Sequence, residues 1–237
     1  MSEEIKGTGG ELITLVKKPI SRRNFLVFTG ISAAAVTLGI QGCKEDSVTT
    51  PIGTGVDLGS GDVGILNYAY ALEQLEAAFY IKVMSSPYSG MTAAESSILS
   101  DIRDHEIAHR DFFKAAISAV ATPIPSLEVN FSSINFADRA SVLNTAKAFE
   151  DLGVSAYNGA GYFITSAVYL ELAGKIVSVE ARHAAAIRDL LNPRSADFAG
   201  DDVVNATTGL DVQRKPSQVL PIAATYLTTT VTANNLP

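Results

Sequence analysis

Between about Val63 and Leu191 apolar residues recur at helical spacing in four separate runs. The first, from about Val63 to Met84, sets Ile65, Ala69, Leu72, Glu76, Phe79 and Val83 on one face, with Leu66, Glu73 and Tyr80 beside it. It follows the turn-rich Gly59-Ser60-Gly61-Asp62, and Pro87 and Gly90 close the loop after it. The second opens at Thr92-Ala93-Ala94-Glu95, a capping box in which Thr92 and Glu95 satisfy free backbone N–H groups. It extends to about Val120 and stops at Thr122-Pro123-Ile124-Pro125. The third spans about Asp138 to Tyr157 or Ala160, with Gly159 and Gly161 marking its end. The fourth, about Ala167 to Leu191, is closed by Asn192-Pro193.

No helical pattern occupies the stretch from Thr122 to Ala137. A connection of that length is unusual without a job, and here it carries the chain along a bundle as a single crossover. The pattern therefore predicts an all-α four-helix bundle over residues 63–192, with one long crossover between the second and third helices. Residues 193–237 read as a C-terminal extension, polar as far as Lys215, with one short helix from Pro216 to near Leu227 and a loose Thr-rich tail.

The chemistry lies in one phrase, Glu-x-x-His, which occurs at Glu106-Ile107-Ala108-His109 and at Glu180-Ala181-Arg182-His183. Only three histidines exist in the chain, and two are in this phrase. Residues three apart share a helix face, so each phrase aims a carboxylate and an imidazole at one point. A weak internal repeat supplies the partners. The run Ala71-Leu72-Glu73-Gln74-Leu75-Glu76-Ala77-Ala78-Phe79-Tyr80 aligns without a gap on Ala148-Phe149-Glu150-Asp151-Leu152-Gly153-Val154-Ser155-Ala156-Tyr157. The chain thus reads as two helical hairpins, each a Glu helix followed by a Glu-x-x-His helix.

Two such helices with one more carboxylate from each of two others form the ligand set of a two-metal site in a helical bundle. Glu106 and Glu180 would bridge two ions, His109 and His183 would each bind one, and Glu73 and Glu150 would cap the ends. Without metal, four carboxylates facing one another inside a bundle are strongly destabilising. Oxygen and imidazole ligands suit iron or manganese better than structural zinc. Tyr80 and Tyr157 lie two turns beyond Glu73 and Glu150, near the site, where a ligand carboxylate would serve their hydroxyls. Glu76 is one turn from Glu73, but its counterpart is Gly153, so the repeat favours Glu73. Glu171 has no counterpart glutamate and reads as exposed or as a rim contact.

Charge and composition narrow the picture. The 237 residues are 47% hydrophobic and 18% charged, with a formal net charge of −7, which suits one globular domain and argues against a nucleic-acid partner. Residues 1–43 look like a targeting segment. Ser21-Arg22-Arg23-Asn24-Phe25-Leu26 resembles a twin-arginine export signal, and an uncharged run from about Val27 to Ile40 is too short for an ordinary membrane span. It ends in Ile40-Gln41-Gly42-Cys43, similar to a bacterial lipoprotein cleavage box. Cys43, the only cysteine, would then carry the lipid. Residues 44–62 read as a flexible tether. The expected location is the periplasm or cell surface, with the membrane touched only through the lipid anchor. Association between copies stays open.

Leu66-Asn67 through Glu73 to Tyr80 resembles the first helix of the bacterioferritin and rubrerythrin groups. Ser178-Val179-Glu180-Ala181-Arg182-His183 and Ala156-Tyr157-Asn158-Gly159-Ala160 resemble the bacterial proteins related to plant desiccation-related proteins. The likeness is to the ferritin-like superfamily and covers roughly residues 63–192. It implies a ferritin-like four-helix bundle with two iron ions, or manganese, reacting with dioxygen or peroxide in an oxidative- or desiccation-stress role. Two other readings compete. His105-Glu106-Ile107-Ala108-His109 also matches the zinc metallopeptidase phrase, although the repeat has Val179 in place of His105. The other is a metal-free helical interaction module of the envelope.

Overall fold

The computed structural model describes residues 55–237. Four long helices follow one another: α1 (Gly61–Ser85), α2 (Ala93–Ser118), α3 (Arg139–Gly161) and α4 (Ala167–Leu191). A short α5 (Pro216–Ala223) lies near the end, with two strands of two residues each, β1 (Val56–Asp57) and β2 (Val231–Thr232), and single 3-10 turns at Asp197–Ala199 and Ala224–Tyr226. Helix α1 packs on α2 and α3 on α4, giving two hairpins that meet through α1 with α3 and α2 with α4. This is the all-α bundle that the hydrophobic pattern predicts. Its helix ends fall within about two residues of the sequence limits, the usual spread for helix termini.

Local chemistry sets the starts. The Thr92–Glu95 capping box forms, with the Glu95 N–H on the Thr92 hydroxyl at 3.2 Å and the Thr92 N–H on the Glu95 carboxylate at 2.8 Å. Asp138 accepts from the Ser141 N–H at 2.9 Å and caps α3; a cap of this kind stabilises by about 1 kcal/mol. Asp62, in the first turn of α1, accepts from the backbone of Thr165 at 2.8 Å and Ser166 at 2.9 Å. That pins the start of α4 to the start of α1.

Helix α1 is buried on nearly every side, its polar residues Asn67, Gln74, Glu73 and Glu76 included. The crossover from Ala119 to Asp138 explains part of this. The Asn67 amide accepts from the Ile124 N–H at 3.1 Å and donates to the Leu58 carbonyl at 3.1 Å. The Gln74 amide accepts from Leu127 N–H at 2.8 Å and donates to the Pro125 carbonyl at 3.3 Å. Both side chains do work that the crossover's irregular backbone would otherwise leave undone. Ile124 and Ile134 then insert into the core.

Three expectations need correction. The tether expected over 44–62 has an ordered end: Val56–Asp57 pairs in parallel with Val231–Thr232, and Leu58 is fully buried. The same pairing ties down the Thr-rich tail, because the Thr230 and Thr232 carbonyls accept from the Val56 and Leu58 N–H groups. Gly161 ends the third helix as expected, but Gly159 lies inside it instead of marking its end. A Cβ there would lie 1.9 Å from the Arg214 carbonyl oxygen, so the glycine lets the C-terminal extension cross α3 at contact distance. Arg188, on α4, holds this extension to the second hairpin, pairing with Asp151 at 2.7 Å and Asp202 at 2.8 Å. The expected signal segment 1–43, with Cys43, and residues 44–54 lie outside the described residues. Among the described residues no helix is long and apolar enough to cross a membrane.

Candidate metal centre

Each long helix delivers to one point at the centre of the bundle. Glu73 comes from α1, Glu106 and His109 from α2, Glu150 from α3, and Glu180 and His183 from α4. All four carboxylates are fully buried, His183 is buried, and His109 is slightly more open. The six residues form two overlapping sets that could each hold a metal ion: Glu73, Glu106, His109 and Glu180, and Glu106, Glu150, Glu180 and His183. Within each set the donor atoms lie within 4.8 Å of one another. Glu106 and Glu180 belong to both sets.

The geometry is close to twofold. His109 Nδ1 stands 2.8 Å from Glu180, 3.5 Å from Glu73 and 3.6 Å from Glu106. His183 Nδ1 stands 2.8 Å from Glu106, 3.5 Å from Glu150 and 3.8 Å from Glu180. Each imidazole thus sits nearest the Glu-x-x-His carboxylate of the other hairpin. None of these approaches has the alignment of a hydrogen bond. Both Nδ1 atoms, both oxygens of Glu106 and of Glu180, and the Oε2 atoms of Glu73 and Glu150 are buried without a hydrogen-bond partner. Buried polar atoms are almost always paired, and eight without a hydrogen-bond partner converging on one point form donor sets that could hold a cation. The donor set fits two such ions.

The outer oxygens of the end carboxylates are held, and the holding is crossed. Tyr80 of the first hairpin donates to Glu150 Oε1 at 2.5 Å, and Tyr157 of the second donates to Glu73 Oε1. Burial and the adjacent carboxylates raise both phenol pKa values well above their ordinary value, so both stay donors. Sequence spacing places the tyrosines near the site; the exchange of partners between hairpins is a tertiary fact.

Charge is divided unevenly. Burial drives Glu106 well above the carboxylate range, with the charges of Glu180 and Glu73 adding to it. Burial also pushes Glu150 up to about 7, against the contacts with His183. Glu180 goes the other way: burial alone would raise it, but both imidazoles hold it at about 2. Burial would lower the histidines, yet their carboxylate neighbours win, taking His183 up to about 12 and His109 upward too.

Two residues play parts that the sequence pattern does not assign. Glu76 is buried, like Glu73, but belongs to neither set. It fills the space beside Gly153, where an added Cβ would come 3.1 Å from Glu76 Oε1. A glycine aligned opposite a glutamate is the one sequence signal for this fit. His105 is not grouped with His109 in either set, as the metallopeptidase reading would need. Its Nδ1 instead meets His183 Nε2 at 2.9 Å, and it belongs to neither set. Glu171 is exposed and pairs with Lys175 one turn on.

The family model for a ferritin-like domain matches residues 61–193, more than half the chain and all four long helices. The chain belongs to the ferritin-like domain family. No curated protein matches it.

Proposed function

We propose that this protein is an exported ferritin-like protein that holds two iron ions, or two manganese ions, and reacts with dioxygen or peroxide to protect the cell envelope under oxidative or desiccation stress. The observation that carries the reading is the set of eight unpartnered donor atoms facing one buried point. Two divalent cations bring about four positive charges, enough to balance four carboxylates with the histidines neutral. Glu106 and Glu180 would serve both ions, Glu73 and His109 one, Glu150 and His183 the other. Iron or manganese bound there would supply electrons to a small oxidant.

The chain's own part is to orient and to exclude water. Tyr80 and Tyr157 fix Glu150 and Glu73 by their outer oxygens, leaving the inner oxygens free. Full burial of the four carboxylates would keep bulk water from ions held there and strengthens each charge interaction. A storage role fits less well than redox chemistry, since the C-terminal extension and the expected lipid tether suit a cage poorly.

Metal analysis and an oxidant assay test this. The purified chain should carry about two transition-metal ions. Loaded anaerobically with ferrous iron, it should consume dioxygen or peroxide and develop near-ultraviolet ferric absorption. Two ions without oxidant consumption would remove the redox role; no transition metal would favour the metal-free bundle. Location is tested separately, on residues outside those described. Cys43→Ala should release the protein from the membrane fraction, and continued membrane association would end the lipid-anchor reading.

A further inference from the structure

The proposed centre has near-twofold symmetry in the atoms facing the ions but not in the atoms behind them. His183 presents Nδ1 to the carboxylates, so Nε2 points away, to His105 Nδ1 at 2.9 Å. The two ring planes are parallel to within 9° with centroids 5.2 Å apart, so the rings lie almost in line. For Nδ1 of His183 to offer its lone pair to an ion, the ring proton must sit on Nε2, and His105 Nδ1 accepts it. His105 then carries its own proton on Nε2.

In the aligned phrase of the other hairpin the position of His105 is taken by Val179, an alkyl side chain with nothing to accept a proton. Among the described residues the His109 ring makes no hydrogen bond, and its side chain is 12% exposed against 6% for His183. A hydrogen bond behind a ligating imidazole fixes its tautomer and orientation and makes it a stronger donor.

We propose that His105 is a positioning residue for His183, and that it makes the two ion sites unequal, the half built on His183 holding its ion more tightly than the half built on His109. The inference rests on the metal-centre reading above. His105 itself is exposed, so its replacement removes little packing and is expected to leave the fold intact.

Anaerobic titration of the metal-free full-length chain with cobalt(II), followed by calorimetry and visible absorption, tests it. The wild-type chain should take up two ions in steps of unequal affinity. His105→Ala should weaken the tighter step about 10- to 100-fold, the usual cost of losing such a partner, and leave the other within about threefold. The cobalt absorption of the first ion should change with it. His105→Asn keeps an acceptor for the Nε2 proton and should recover most of the loss. Melting of the metal-free Ala variant should fall by no more than about 2–4 °C, the cost of one hydrogen bond. Unchanged steps, equal weakening of both, or an Asn variant no better than Ala would overturn the role given to His105 while leaving the centre in place. A wild-type chain that takes up no cobalt would overturn the centre, and this inference with it.

Discussion

The hairpin α1–α2 and the hairpin α3–α4 present the same three candidate ligand positions and the same tyrosine, yet they differ at two positions just outside that set. Glu76 in the first hairpin faces Gly153 in the second, and His105 is matched by Val179. The first pair is complementary in volume: the extra carboxylate occupies room left by the glycine. The second hairpin carries burdens of its own, holding the C-terminal extension through Arg188 and admitting it at Gly159. Symmetry is close where six side chains reach a common point, because a shift at any one of them opens the set. Outside that point each hairpin answers to different neighbours. The inner atoms define what the site can bind; the outer ones determine how alike its halves are.

The largest effects should come from the positions where the hairpins are equivalent. Glu106 and Glu180 each belong to both four-residue sets, whereas Glu73 and Glu150 belong to one each. Glu106→Ala and Glu180→Ala should therefore each drop metal content from about two ions to well under one. Glu73→Ala and Glu150→Ala should each leave about one ion, on opposite halves. Metal analysis after gel filtration reads this directly. If Glu106→Ala kept one ion as firmly as Glu73→Ala does, the shared role would be lost and the two hairpins would be independent sites.

A smaller effect concerns protons, which would compete with a metal for the same carboxylates and imidazoles. Glu76 and Glu106 are held above the ordinary carboxyl range, Glu150 is pushed up to about 7 and His183 up to about 12. Each of these groups binds its proton more tightly when folded. Its contribution is full below its unfolded pKa and lost as pH rises through the folded one. Glu180, held at about 2, has the opposite sign, contributing above its unfolded value and losing that contribution in acid. The metal-free protein should thus melt highest near about pH 5 and lose on the order of 5 °C by about pH 8. Metal binding releases protons, so the stabilisation given by metal should grow over the same interval. A metal-free melting temperature that climbs from pH 5 to 8 would contradict the charge distribution described here.

How far these properties were legible in the sequence follows the same division between inner and outer atoms. The helices were readable because their apolar spacing and capping residues are local: Thr92 and Glu95 are three apart, and Asn192-Pro193 stops α4 where it stands. The two Glu-x-x-His phrases and the aligned Glu73 and Glu150 were readable because helical spacing alone puts each pair on one face. Contacts made between hairpins were not. Nothing local says that Tyr80 bonds Glu150 and not Glu73, that His105 turns toward His183, or that Gly159 exists for the backbone of Arg214. The ordered ends were missed for a related reason: Val56 and Val231 lie in polar, turn-rich sequence and form strands only by pairing with each other, 175 positions apart.

The smallest effect tests the volume match between hairpins at its point of contact. Gly153 lies inside α3, where glycine costs about 1 kcal/mol relative to alanine. Gly153→Ala should recover that amount if the space were empty. It is not: the new methyl carbon would come 3.1 Å from Glu76 Oε1, closer than ordinary van der Waals contact. Glu76 cannot easily retreat, being buried with Oε2 already unpartnered. The two terms should nearly cancel, leaving Gly153→Ala within about 0.5 kcal/mol of wild type in denaturant melts of the metal-free chain. In a Glu76→Ala background the obstacle is gone, and the same substitution should stabilise by about 1 kcal/mol. The cycle therefore predicts a coupling of about 1 kcal/mol between residues 76 and 153. If the two substitutions add to within about 0.3 kcal/mol, the glycine is not making room for the glutamate, and the complementarity drawn between the hairpins at this position fails.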